Sequence, residues 1–150
     1  MVVGWGVLEG VRFYRMTWRT PMRAGVSVKV QGIQSHHQPF TLVLWLQSGC
    51  RYCAEAAVSY RKAVDRGKGC VFPVAILPDR PEIAERDLRD FDLSVGQVIS
   101  RPLSVDRIRG TPTVALIDSN SAVVASWTGF SSHREEWLIR QIEARCGRQG

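Results

Sequence analysis

Residues 39–53 read Pro-Phe-Thr-Leu-Val-Leu-Trp-Leu-Gln-Ser-Gly-Cys-Arg-Tyr-Cys. Thr41–Leu46 is an unbroken run bounded by Pro39 on one side and Ser48-Gly49 on the other. A strand covered on both faces has this pattern, because neither face needs polar residues. The residues that follow, Cys50–Arg66, suit a helix, and Gly67 and Gly69 end it. Cys50 and Cys53 therefore fall where a buried strand turns into a helix.

That junction favours thiol chemistry. The first turn of a helix has unpaired N–H groups and the positive end of the dipole. Both favour thiolate, so the expected pKa of Cys50 lies below the free value of about 8.5. Two intervening residues place the second sulfur one turn further on, in reach of a small disulfide. Cys50 would attack a partner disulfide, and Cys53 would then attack Cys50 and release the reduced partner. Arg51 adds a cation near the nucleophile, and Tyr52 a bulky rim.

Outward from this stretch, Val71–Leu77 reads as a second buried strand, broken by Pro78-Asp79-Arg80-Pro81. Pro81–Phe91 reads as a charged helix with Pro81 in its first turn and Ile83, Leu88 and Phe91 inward, while Asp79 and the charged run Glu82–Asp92 read as a solvated helix face. Val95–Ile99 is a weaker strand. Thr113–Asp118 and Val123–Thr128 pair as a hairpin across Ser119-Asn120-Ser121. Ser132-x-x-Glu135 reads as a capping box that opens a last helix, to about Arg145. Upstream, Val26, Val28 and Val30 alternate with Ser27 and Lys29 as a short half-buried strand. Residues 1–24 have no clear period and form an N-terminal extension to a domain of residues 25–150. The expected class is α/β, a central mixed sheet flanked by helices.

Four motifs resemble the thioredoxin superfamily: residues 39–53, Phe72–Asp79 (FPVAILPD), Ile108–Asp118 (IRGTPTVALID) and the hairpin ending Trp127-Thr128-Gly129. The resemblance covers residues 38–145 and is strongest to TlpA/ResA-type, redoxin-like thiol–disulfide oxidoreductases. It implies Cys50 as nucleophile and Cys53 as resolving thiol. It also implies a cis Thr111–Pro112 bond beside them, with Thr111 offering backbone groups to an extended substrate. Thr111, Pro112, Arg51 and Tyr52 are thus the expected substrate-binding residues. The sequence departs from the family at two carboxyl positions. Leu44 stands where thioredoxin has an acid, and Ala56 stands where TlpA/ResA-type proteins often have Glu. Glu55 is one residue off that place, a turn of about 100°, and is expected to contribute little to proton transfer.

The implied function is reduction or exchange of disulfides in partner proteins, without a cofactor, with an upstream redox donor. A metallochaperone-like or peroxidase-like relative and a non-enzymatic interaction module rank below it. Copper chaperones of this fold use CxxxC with a distant His, and an intact CxxC argues against an inert module.

Composition sets outer bounds. The 150 residues suit one domain. Of the net charge of +6, residues 1–30 supply +4: Arg12, Arg15, Arg19, Arg23 and Lys29 against Glu9. The rest is mildly basic and has no nucleic-acid-binding motif. His36, His37 and His133 read as surface residues, and no second close Cys or His pair points to zinc. Cys70 reads as a small buried hydrophobe and Cys146 as a free thiol, with a bond between them ranked lower. The longest apolar runs, Met1–Leu8 and Leu42–Leu46, are far short of a bilayer span. As written the chain reads as cytoplasmic. A leader upstream of Met1 would make it periplasmic or membrane-anchored. Trp5, Trp18, Trp127 and Trp137 read as packing or partner contacts.

Overall fold

The structure is a computed structural model that describes residues 22–147. Residues 1–21, with Trp5, Trp18 and most of the expected N-terminal extension, lie outside the described residues. Five strands form one sheet: β1 (Phe40–Trp45), β2 (Val71–Leu77), β3 (Gln97–Ser100), β4 (Thr113–Asp118) and β5 (Val123–Thr128). The helices are α1 (Arg51–Arg66), α2 (Pro81–Asp90) and α3 (Ser132–Cys146), with a 3-10 turn at Leu103–Asp106. Strand order is β3-β2-β1-β4-β5. β1 runs parallel to β2, and β2 to β3, while β4 is antiparallel to both β1 and β5. The sheet is mixed and β1 is its central strand.

The unbroken apolar run of β1 is explained by the two-residue period of a strand. Leu42, Leu44 and Leu46 point to the helical layer, against Cys53, Ala57, Tyr60, Leu88, Leu138 and Ile142. Val43 and Trp45 point the other way, with Val74, Ile76, Ile108, Ala115 and Ile117. That second face is covered by loop residues, among them Met22, Val28, Val30 and Ile33. The indole of Trp45 donates to Asp106, which also receives a forked ion pair from Arg101. A buried indole N–H thereby keeps its partner.

The structure corrects the sequence reading first at Val26–Val30, then in the charged run Glu82–Asp92, and then at Cys70 and Cys146. Val26–Val30 is not a strand; it contributes one isolated bridge, Ser27 to Ala122. The segment still packs inward through Val28 and Val30, so the alternation marked a buried face without a ladder. The charged run Glu82–Asp92 is not wholly solvated, because Asp87 is buried beside Ala84 and Leu88. Offsets of three and four place those residues on one side of a helix. Third, Cys146 is not free and Cys70 is not a lone hydrophobe. The two form a disulfide across 76 residues, with Cα atoms 5.7 Å apart, inside the usual bridging range. It ties the end of α3 to the entry of β2.

Among the described residues no helix is long and apolar enough to cross a membrane.

Candidate redox site

The strand-to-helix turn is built from backbone first. β1 ends at Trp45, and the Leu46 N–H still donates to Ile76. Gly49 then takes φ +70°, a left-handed conformation that side chains disfavour. It reverses the chain so that Cys50 becomes the N-cap of α1. Two acids hold the turn. The Ser48 N–H donates to Asp79 Oδ2 at 2.9 Å, and the Ser48 hydroxyl reaches Asp87 Oδ1 at 3.5 Å. Both acids read from sequence as solvated charge.

Cys50 and Cys53 form a disulfide with Cα atoms 5.2 Å apart. Cys53 is fully buried and Cys50 partly exposed. The Sγ of Cys50 accepts the Cys53 N–H at 3.1 Å, in the manner of a capping side chain. It also lies 3.3 Å from the Thr111 hydroxyl. That hydroxyl has one proton and an alternative acceptor, Gln47 Oε1, at 3.5 Å. The Thr111–Pro112 bond is cis. Pro112 is buried, and its carbonyl accepts the Gly129 N–H at 2.7 Å. β4 starts at Thr113, so Thr111 stands outside both ladders of that strand.

Of the expected site residues, Cys50, Cys53, Thr111 and Pro112 thus come together at one end of the sheet. Arg51 and Tyr52 are exposed beside them. Arg51 meets Glu55 at 3.4 Å, an exposed pair one turn apart. Glu55 therefore points to solvent, away from the buried sulfur.

Neither a family model nor a curated protein matches the chain. Solved structures do. A putative thiol:disulfide interchange protein DsbE from Chlorobium tepidum is 23% identical at a TM-score of 0.61, over 70% of this chain and 78% of that one. A thiol:disulfide interchange protein from Bacteroides sp. is 18% identical at 0.62, over 84% and 88%. The thioredoxin domain of a thiol-disulfide oxidoreductase from Bacteroides vulgatus is 15% identical at 0.63, over 83% and 99%. The chain has a thioredoxin fold.

Within this thioredoxin fold, the sequence reading misplaced one further acid, Glu135. Ser132-x-x-Glu135 is not a capping box. The N-cap is Ser131, whose side chain makes no capping bond. Starting one residue earlier moves Glu135 from the third to the fourth helical position and rotates it by about 100°. Its side chain joins the inward stripe of Leu138 and Ile142 and has 0% exposure. Neither carboxyl oxygen has a hydrogen-bond partner. Burial raises its pKa to about 7, while Ser59 of α1, close by without a bond of full geometry, acts in the opposite direction. Tyr60 of α1 is buried with its hydroxyl unpartnered, and burial and then the Glu135 charge raise its pKa far above the ordinary tyrosine value. The signal for Glu135 was its place in the 135, 138, 142 stripe; the acidic side chain masked it.

Proposed function

We propose that this chain is a thiol–disulfide oxidoreductase that reduces or exchanges disulfides in partner proteins through Cys50 and Cys53. The observation that carries the reading is the environment of the Cys50 sulfur. It caps a helix, accepts the Cys53 N–H and faces the Thr111 hydroxyl. Each of these stabilises a thiolate more than a thiol. A partly exposed, donor-rich sulfur beside a buried one is the arrangement expected of an attacking and a resolving thiol.

In the reaction, the Cys50 thiolate attacks one sulfur of a substrate disulfide. The substrate S–S bond breaks, and the departing thiolate takes a proton from solvent. Cys53 then attacks Cys50, forms the internal disulfide and releases the second substrate thiol. Two electrons pass to the substrate, and a dithiol donor returns them. Thr111 and Pro112 form one wall of the substrate groove, where an extended chain pairs with the Thr111 backbone. Arg51 and Tyr52 form the opposite rim. No step requires a cofactor.

The names of the similar structures support this reading, as does the disulfide Cys70–Cys146 for the compartment. Structural disulfides persist in oxidising surroundings, so we place the working protein outside the reducing cytosol.

Insulin reduction with dithiothreitol tests the activity. Wild-type protein should accelerate precipitation of the insulin B chain, and Cys50→Ser should not. Wild-type protein no faster than dithiothreitol alone would remove the assignment.

A further inference from the structure

Gln47-Ser48-Gly49 joins a buried strand to the helix tip that carries Cys50, and two acids from elsewhere in the chain anchor its middle residue. The Ser48 N–H donates to Asp79 Oδ2 at 2.9 Å, and the Ser48 hydroxyl donates to Asp87 Oδ1 at 3.5 Å. Asp79 follows the end of β2, and Asp87 lies within α2. Asp79 is itself fixed, because its carbonyl accepts the Ser100 hydroxyl at 2.6 Å from the end of β3. It is not the N-cap of α2, which is Arg80. Asp87 is 7% exposed, and its Oδ2 has no hydrogen-bond partner. A buried carboxyl oxygen without a partner costs stability. An apolar residue would fill that place beside Ala84 and Leu88 at less cost, so packing does not account for the acid.

The turn they hold brings them near the sulfur. Consecutive Cα atoms are about 3.8 Å apart, so those of Ser48 and Cys50 lie within about 7.6 Å of each other. A charge acts over that distance even in physiological salt. A carboxylate here opposes the donors at the helix tip: it disfavours the Cys50 thiolate, whereas the Cys53 N–H and the Thr111 hydroxyl favour it. A less stable thiolate makes the reduced pair less stable relative to its disulfide, and the pair gives electrons more readily. We propose that Asp79 and Asp87 are positioning residues of the dithiol, which hold the Ser48 turn and set negative charge behind Cys50 so that the pair is biased toward donating electrons. The proposal rests on Cys50 and Cys53 being the exchanging pair and gives that exchange a direction. The dithiol becomes the internal disulfide, the substrate disulfide takes up its two electrons as two thiols, and the protons balance through solvent. The two acids act through Ser48 and through their field, and exchange no proton in the step.

The other charges at this end of the sheet leave that field standing. Arg51 of α1 is exposed and meets Glu55 at 3.4 Å. Arg80 and Glu82 flank Asp79 and are exposed. Arg101 and Asp106, beyond β3, engage each other at 2.8 Å. On the Thr111 side, Arg109 precedes β4, and His133 and Arg134 lie in the first turn of α3, all exposed. Exposed charges are screened by water and salt more than a buried one such as Asp87.

The test uses folded full-length protein and two readouts that a purely structural role would not move. Iodoacetamide labelling of reduced Cys50 across a range of pH, read by peptide mass spectrometry, gives the pH midpoint of its thiolate. Equilibration with reduced and oxidised glutathione at neutral pH gives the balance between dithiol and disulfide. Asp79→Asn and Asp87→Asn each keep a side-chain oxygen for Ser48 and remove one charge. Each should lower the midpoint by about half a pH unit, and the double variant by about one. Each should also shift the glutathione balance toward the dithiol by about twofold to threefold. Glu82→Gln, which removes an exposed charge close in sequence, should leave both readouts as in wild type. Asp79 lies in a half-exposed loop, so Asp79→Asn tests the proposal even where Asp87→Asn fails to fold. An unchanged midpoint and balance in folded Asp79→Asn would overturn the proposal while leaving Cys50 and Cys53 in place, and so would an equal shift in Glu82→Gln. Wild-type protein that exchanges no electrons with glutathione would instead remove the reading of Cys50 and Cys53 itself.

Discussion

The two cysteine pairs of this molecule carry the same bond in opposite settings. Cys50–Cys53 closes three residues at a helix tip, with one sulfur partly exposed and met by two hydrogen-bond donors. Cys70–Cys146 closes 76 residues and joins two elements that are far apart in sequence. Cys70 is buried in the helical layer of the core, with Cys146 packed against it. The short loop restricts an unfolded chain very little, whereas the long loop restricts it strongly. A helix tip stabilises thiolate, whereas an apolar layer disfavours it. The difference teaches that redox activity is read from what surrounds a sulfur, since the bond itself is common to both pairs.

That contrast gives an ordered set of tests. Cys50→Ser should abolish insulin reduction, and Cys53→Ser should accumulate a mixed disulfide detectable on a non-reducing gel. Replacing Cys70 and Cys146 together by Ala should do the reverse. Unfolding in urea should show a loss of about 2 to 4 kcal/mol, with insulin reduction kept when assayed below the unfolding transition. A double variant that lost activity while folded would merge the two roles.

The third test concerns pH. The Glu135 pKa is raised from 4.5 to about 7 in the folded protein. The fold therefore binds this proton more tightly than the unfolded chain does. Its contribution is fully present below about 4.5 and lost as pH rises to about 7. Urea unfolding at pH 5 and pH 8 should show Glu135→Gln gaining on wild type at the higher pH, by up to roughly 3 kcal/mol. A gap that does not change with pH would contradict the burial of this carboxyl. The smallest effect belongs to Thr111→Val, which removes one donor to Cys50 Sγ. Alkylation of reduced Cys50 at pH 7 should slow by about threefold to tenfold. An unchanged rate would mean that the hydroxyl prefers Gln47.

Much of this was legible in the sequence because period and punctuation agree. The run Thr41–Leu46, the Gly-ended helix after Cys50 and the hairpin around Ser119-Asn120-Ser121 each carry two independent signals, and each element is present. What failed were positions where a residue type argued against its place in the pattern. Asp87 and Glu135 occupy inward places on their helices, but a charge reads as solvated, and Ser132-x-x-Glu135 mimicked a capping box. The alternation of Val26, Val28 and Val30 marked the inward side of Val28 and Val30 but not of Val26, which is exposed, and the segment meets the start of β5 over too short a stretch to form a ladder. Cys70 and Cys146 are brought together by the packing of α3 across the sheet, a long-range fact with no local trace.

Competition between the four reduced thiols tests the central claim most directly. With the protein fully reduced and folded, limiting iodoacetamide near neutral pH should label Cys50 first, with Cys53, Cys70 and Cys146 largely protected as read by peptide mass spectrometry. First labelling of Cys53 would reverse the roles within the pair, and first labelling of Cys70 or Cys146 would contradict the division between a reactive and a structural disulfide.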